Sequence, residues 1–177
     1  MLTGGTNMIR YKKLGYVELS VTDLDKSVDF YENVVGMQFV ERENETAYLR
    51  SSHDHHNLIL TQGEEAGLIR VAYELEKADQ FQGVFDYLTE KGVNPVELSK
   101  EETQNLAQGR TLRFKDPILG VTYELYDEIM QMGTPFEPKT ARITRFLHVV
   151  YETNRFDELV EFFTETLNFK IDGNKFW

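Results

Sequence analysis

The sequence predicts an α+β protein built from repeated units, each consisting of one strand, one helix and three further strands. Alternating apolar and polar residues mark half-buried strands, and apolar residues at helical spacing mark the helices between them. The order of these elements recurs along the chain, as internal repeats do. With 177 residues, of which 41% are hydrophobic, the chain is long enough for two units to bury their apolar sheet faces against each other.

The first unit begins with a strand at residues 14–21, where apolar and polar residues alternate. Asp23 then supplies the side chain of a helix N-cap, and Gly36 marks the end of that helix. The apolar stripe of the helix consists of Leu24, Val28, Tyr31 and Val35. Three short runs predict the remaining strands, at residues 38–42, 46–50 and 57–61.

The second unit repeats this order from residue 69 onward. Its strands are predicted at residues 69–74, 93–98, 110–114 and 122–126, and its helix carries Phe81, Val84, Phe85 and Leu88 and ends at Gly92. Tyr16 and Arg70, 54 positions apart, occupy the same place in the two units. Residues 97–108 are polar and lack an apolar period, so we expect a surface segment or a mobile loop there.

A third copy follows residues 133–138, whose glycine and two prolines indicate a connection between domains. Residues 148–151 predict its strand, and Phe156, Leu159, Val160, Phe163 and Leu167 predict its helix. The chain ends at Trp177, before the rest of this unit. We therefore expect one complete module at 10–130, a linker at 131–140, and at 141–177 the first strand and helix of an incomplete second module.

Composition narrows the class of protein. The chain has 19 basic and 30 acidic residues and a formal charge of −11, which argues against a nucleic-acid partner. No apolar run approaches the ~20 residues that span a bilayer, and there is no cysteine, so we expect a cytoplasmic protein. An unfinished sheet would expose an apolar face, which favours a homo-oligomer.

Several short motifs lie on or next to these predicted elements. They are Leu14-Gly-Tyr-Val-Glu-Leu19, Phe30-Tyr31, Tyr48-Leu-Arg50, His55-His-Asn-Leu58, Arg70-Val-Ala-Tyr73, Asp116-Pro117 and Tyr123-Glu-Leu-Tyr126. Together they resemble the vicinal oxygen chelate superfamily of glyoxalases, bleomycin-resistance proteins and extradiol dioxygenases. The pattern is most similar to catechol and homoprotocatechuate 2,3-dioxygenases, in which a metal-free module precedes a metal-binding one. The resemblance implies the paired βαβββ fold.

The resemblance also implies where a metal-binding module takes its ligands, namely the first strand of each unit and the last strand of the second. In the first module these positions hold Tyr16, Arg70 and Glu124. Arginine offers no lone pair and carries a permanent positive charge, so the three cannot form an ordinary divalent metal site. We expect degenerate metal positions there, with Arg70 paired to Glu124.

In the second module the equivalent position holds His148. The resemblance implies a metal ligand in a completed module, where two imidazoles and one carboxylate hold Fe(II), or Mn(II), for meta-cleavage of a catechol by O2. The other two ligands would lie beyond Trp177. We therefore expect no catalytic or cofactor-binding residue in this chain, no bound metal, and no ring cleavage by the chain alone.

Two other interpretations remain open at this point. A metal-independent binding protein similar to bleomycin-resistance proteins would hold a planar ligand in an aromatic-lined cup or a dimer cleft. Tyr16, Tyr73 and Tyr123 are candidates to line it, although tyrosines at strand spacing more often belong to the core. A degenerate product without activity is the third possibility. His53, His55 and His56 form a further cluster, for which a loop leading into a strand is favoured over a metal site.

Overall fold

The computed structural model describes residues 9–141 and 143–171. Within them, one eight-stranded mixed sheet has the order β2-β3-β4-β1-β5-β8-β7-β6. Its strands are β1 (Tyr11–Val21), β2 (Gln38–Glu43), β3 (Thr46–Arg50), β4 (Leu58–Gln62), β5 (Gly67–Leu75), β6 (Val96–Glu97), β7 (Thr111–Lys115) and β8 (Thr122–Tyr126). The helices are α1 (Leu24–Phe30), α2 (Phe81–Glu90), α3 (Lys100–Asn105) and α4 (Phe156–Glu161). A membrane-spanning helix is not found in the described ranges.

The sheet joins two similar units through the antiparallel pair β1 and β5. In each unit the first strand also pairs in parallel with the last, β1 with β4 and β5 with β8. Tyr16 lies opposite Ala72, and Glu18 lies opposite Arg70. A shift of 54 residues exchanges these two pairs, so the predicted equivalence of Tyr16 and Arg70 corresponds to a pseudo-twofold axis between them.

Helix α1 begins where its sequence predicts, and the helical segment that it starts ends at the predicted glycine. The Asp23 side chain accepts a hydrogen bond from the Lys26 backbone N–H at 3.0 Å, which satisfies one free donor of the first turn. The helix continues into a π-helical turn, Tyr31–Val35, and stops at Gly36 with φ of 91°, a left-handed conformation that favours glycine.

Residues 97–108, predicted as a surface segment or a mobile loop, are mostly exposed, as a surface segment is, and they contain helix α3. Ser99 and Glu102 form a capping box at its start, with the Ser99 backbone N–H donating to the Glu102 carboxylate at 2.9 Å. A six-residue helix is too short to show an apolar period, which is why the periodicity argument missed it.

The two faces of the sheet have different coverings. The helix face carries α1, α2 and α4, and its two cores are built around Leu24, Met37 and Leu60 at one end and Phe81, Leu112 and Leu125 at the other. The opposite face, which we call the inner face, is covered by the residues flanking α3. Its core consists of Tyr16, Tyr48, Ile59, Ala72, Leu98, Leu106, Tyr126 and Ile129.

The third repeat differs from its prediction. Its helix is present as α4 followed by a π-helical turn, Phe162–Thr166, and both lie on the helix face. The predicted strand at 148–151 is not formed among the described residues, because no neighbouring strand offers it hydrogen bonds. The start of the predicted linker packs alongside the first unit, where the Met132 backbone N–H donates to the His53 carbonyl at 2.7 Å.

Candidate functional site

The inner face holds a buried ionic cluster at its centre. Glu124 on β8 is fully buried, and its Oε1 lies 2.7 Å from Nη1 of Arg70 on β5. Its other oxygen, Oε2, accepts a hydrogen bond from the Tyr16 hydroxyl of β1. The structure therefore brings Tyr16, Arg70 and Glu124 together, and the predicted ion pair between Arg70 and Glu124 is present.

Two members of this cluster were missed by sequence reasoning. Arg113 lies opposite Glu124 in the β7–β8 ladder, with its Nε and Nη2 at 2.7 and 2.6 Å from Oε1. Glu18 on β1 contacts Nε of Arg70. Glu18 stands two residues after Tyr16 and therefore shares its face of the strand, a signal available in the sequence. Arg113 could be found only from the strand register.

The charges of the cluster balance, with two guanidinium groups against two carboxylates. Burial lowers the pKa of Arg70, but the neighbouring Glu124, Tyr16 and Glu18 together outweigh this effect and hold the pKa above its ordinary value. Burial and the Glu124 charge raise the pKa of Tyr16 well above 10, so its hydroxyl stays protonated and donates. Both Glu124 oxygens are thus engaged by permanent donors.

These residues do not fit a divalent metal. Arg70 and Arg113 have no lone pair to offer, and they already compensate the one carboxylate that would be the strongest ligand. Elsewhere in residues 9–141 and 143–171, no group of three or more histidine, aspartate or glutamate side chains is placed to hold a metal ion.

The turn before β8 sets the position of Glu124. The Asp116 carboxylate accepts hydrogen bonds from the backbone N–H groups of Ile118, Leu119 and Val121 at 2.9, 2.6 and 2.8 Å. Gly120 follows with φ of 73°. This wide turn closes the loop before β8 and leaves Glu124 facing inward.

Only one of the three tyrosines considered for an aromatic pocket lies on the inner face. Tyr73 and Tyr123 point to the helix face, because they stand one residue from inward-facing Ala72 and Glu124. They therefore belong to the core, as their strand spacing favoured, and they do not share a ligand pocket with Tyr16. The inner face beside Tyr16 is filled by Leu98, Leu106, Tyr126 and Ile129.

Gly15 is required by this packing. A Cβ at that position would lie 1.9 Å from the Tyr126 hydroxyl oxygen, far inside van der Waals contact. The absence of a side chain at Gly15 therefore lets the Tyr126 ring approach the backbone of β1.

Of the three clustered histidines, two are buried next to the ionic cluster. Nδ1 of His55 and Nδ1 of His56 are 3.1 Å apart, and Nε2 of His55 lies 3.0 Å from the Glu41 carboxylate. These contacts are all satisfied when His55 donates from Nε2 to Glu41 and accepts at Nδ1 from His56. Burial, followed by the neighbouring His55, lowers the pKa of His56 to about 3, so it is neutral. The exposed His53 does not join them.

His148 lies far from this cluster in the fold. Its side chain is exposed and borders an apolar groove on the helix face, next to Val17, Leu58 and Leu68. The structure thus separates His148 from Tyr16, Arg70 and Glu124. Its predicted role as a metal ligand concerns a second module.

Comparison with known proteins places this geometry in a family. Residues 13–138 match the model of the Glyoxalase/Bleomycin resistance protein/Dioxygenase superfamily, and the chain belongs to that superfamily. Its eight-stranded sheet is consistent with the vicinal oxygen chelate fold.

Two relatives of the chain in this superfamily are named as dioxygenases. The chain is 27% identical over 174 residues to a manganese-dependent 2,3-dihydroxybiphenyl 1,2-dioxygenase of Geobacillus genomosp. 3, covering 90% of this chain and 54% of the relative. It is 28% identical over 141 residues to a 1,2-dihydroxynaphthalene dioxygenase of Sphingobium xenophagum, covering 79% and 47%.

Among solved structures, homoprotocatechuate 2,3-dioxygenase from Brevibacterium fuscum, in complex with 3,4-dihydroxyphenylacetate, superposes with a TM-score of 0.63 at 30% identity. The match covers 74% of this chain and 41% of that structure. The chain spans about half the length of the curated relatives it matches.

Proposed function

We propose that the chain forms part of an extradiol dioxygenase and that its paired units serve as the metal-free module. The parent reaction is meta-cleavage of a catechol by O2 at Fe(II), with Mn(II) as the alternative. Family membership and the names of the relatives support the reaction class. The observation that carries the metal-free assignment is the engagement of Glu124 by Arg70, Arg113 and Tyr16.

In this proposal the paired units contribute structure, and the metal chemistry belongs to a second module. His148 would be one of its ligands, together with a second imidazole and a carboxylate. A metal held in this way binds the catechol and O2 next to each other. Residues 9–141 form the sheet, and the segment that leads to His148 packs against its helix face.

The alternative of a metal-independent binding protein is less well supported by this geometry. Such a protein needs an open apolar pocket with a few polar groups. Here Leu98, Leu106 and Ile129 fill the inner face, and Tyr73 and Tyr123 lie on the other side of the sheet. The space over the inner face is therefore occupied by the protein's own side chains.

Self-association also belongs to the proposal. Leu147 and Val150 are exposed apolar residues, 62% and 89% accessible, on one stretch of chain. Covering them in a second copy would remove apolar area from water. Light scattering tests this directly, since a mass that stays at the 20.7 kDa of one chain would contradict it.

A turnover experiment tests the catalytic part. The purified chain is incubated with O2, Fe(II) or Mn(II), and in turn catechol, 2,3-dihydroxybiphenyl and 3,4-dihydroxyphenylacetate, while ring-cleaved product and O2 uptake are followed. We expect no turnover above that of the metal alone, with the Brevibacterium fuscum enzyme as positive control. Turnover that Glu124→Gln abolishes would contradict the metal-free assignment.

A further inference from the structure

We propose that residues 143–171, which we call the strap, belong to the same folding unit as the paired βαβββ units. The sequence assigns this stretch to a second module, beyond a linker. Its contacts give this start of a second module a further role, in which it covers the helix face of the sheet. This inference goes beyond the proposed function and holds whatever reaction the protein serves.

The apolar contacts of the strap are those of a core element. Phe162 and Leu167 are 7% and 1% exposed, and both belong to the core built on Val71, Phe81 and Leu112. The residue that closes the helix turn, Leu167, is as buried as the sheet residues beneath it. Burial of this extent is typical of the interior of one domain and not of a transient contact.

An aromatic cluster continues this core. Phe169 of the strap stacks on Tyr11 of β1, with ring centroids 4.7 Å apart, and lies 5.2 Å from Tyr73 of β5. Phe163 meets Tyr123 of β8 edge to face at 6.1 Å. These are favourable aromatic geometries, and they fix the strap to three strands from both units.

Polar groups near the end of the strap helix also form hydrogen bonds with the paired units. The Tyr11 hydroxyl donates to the Leu167 carbonyl at 2.6 Å, and the Tyr87 hydroxyl donates to the Glu165 carbonyl at 3.1 Å. In the other direction, the Asn168 amide donates to the Ile9 carbonyl at 2.9 Å. Carbonyls in the last turn of a helix have no partner within the helix, so side chains from β1 and α2 take that place.

The need for a cover explains why the strap packs here. Tyr11, Val71, Tyr73 and Tyr123 alternate toward the helix face, and the strap residues lie against them. The strap side chains that face away are exposed, with Phe156 at 60% and Val150 at 89%. Only part of the apolar stripe of α4 is therefore buried, and that part packs against the sheet of the first module.

Hydrogen exchange on the full chain tests the inference. If the strap is part of the unit, its protected amides in 159–167 exchange with the same free energy of opening as those of β5 and β8. Leu167→Ala is expected to lower the protection of β5 and β8 by about 30-fold or more, as removal of a buried leucine side chain does. Phe156→Ala, in the same strap but exposed, is the matched control and should change it by about twofold or less.

A second variant covers the case in which Leu167→Ala does not fold. Phe163→Leu keeps a large apolar side chain, although a smaller one without the aromatic contact, and should lower protection in β8 by a smaller factor, about tenfold. The inference is overturned if strap amides exchange through an opening that leaves β5 and β8 protected, or if Leu167→Ala and Phe156→Ala have equal effects. None of these readouts depends on turnover, so their failure is distinct from failure of the proposed function.

Discussion

At the scale of single residues, the central feature is a carboxylate that meets two guanidinium groups and a phenol inside the sheet. Glu124 is fully buried, and its charge is compensated by Arg70 and Arg113 from the two neighbouring strands. A buried charge is tolerated only when its partners are in place, so the loss of one partner should cost much more than the loss of a surface pair.

Arg70→Met should therefore destabilise the chain by about 3 kcal/mol, because it leaves Glu18 and part of the Glu124 charge uncompensated. Urea denaturation at neutral pH measures this change. Arg42→Met provides the control, since Arg42 pairs with the exposed Asp25 and should contribute about 0.5 kcal/mol or less. Equal losses of unfolding free energy in the two variants would contradict this prediction, because the buried cluster would then contribute no more than a surface ion pair.

His56 predicts a specific dependence of stability on pH. Its pKa is lowered to about 3 in the folded chain by burial, then by His55, whereas an unfolded chain has the ordinary value of about 6.5. Between these values the unfolded state binds the proton and the folded state does not. Stability is therefore lost as the pH falls below about 6.5, by up to about 1.4 kcal/mol per pH unit from this group.

His56→Leu should accordingly flatten the decline in unfolding free energy between pH 6.5 and pH 4, measured by urea denaturation at several pH values. His53→Leu, at an exposed position of the same segment, should leave the slope as it is in the unchanged chain. An identical slope for His56→Leu and the unchanged chain would contradict the assignment of a buried, neutral imidazole.

The sequence could predict some of these residues and not others, because some depend on local motifs and others on the pairing of distant strands. The pairing of Arg70 with Glu124 was predictable, because the resemblance to the superfamily implies that both residues occupy metal-ligand positions of one module. Arg113 required the register of β7 against β8, which depends on the width of the Asp116 turn. The burial of His55 and His56 depends on strands from both sides and leaves no local signal.

At the scale of elements, the strands with strong alternation were predicted closely. Thr46–Arg50 and Thr122–Tyr126 have the predicted bounds. The run at 93–98 is reduced to Val96–Glu97, at the edge of the sheet, where one partner strand provides less pairing. The strand at 148–151 failed because strand formation needs a partner, whereas the helix α4 makes its own hydrogen bonds.

Helix α3 shows how a short element depends on its cap. Ser99→Ala removes the side chain that accepts from the Glu102 backbone N–H, and should cost about 1 kcal/mol. Because Leu98 and Leu106 flank this helix over the inner face, the same variant should raise amide exchange in residues 103–106. Glu101→Gln, in the same turn but outside the capping box, should cost less than half as much; an equal cost would argue against the cap.

At the scale of the whole molecule, a pseudo-twofold arrangement produces two unlike faces from similar units. The helix face is apolar and receives the strap, and the inner face concentrates charge at the pseudo-twofold axis. The order of strands and helices follows from periodic features and the family from short motifs, and both were predictable. The path of the strap was not, since an apolar stripe gives no information about which sheet it covers.

The metal-free character of the paired units is the central claim, and Mn(II) binding tests it most directly. The chain is titrated into Mn(II) while the electron paramagnetic resonance signal of the free aqueous ion is recorded, with Glu124→Gln in parallel. The account predicts that the free-ion signal persists at equimolar chain and is the same for both proteins. A stoichiometric loss of the signal that Glu124→Gln restores would contradict it.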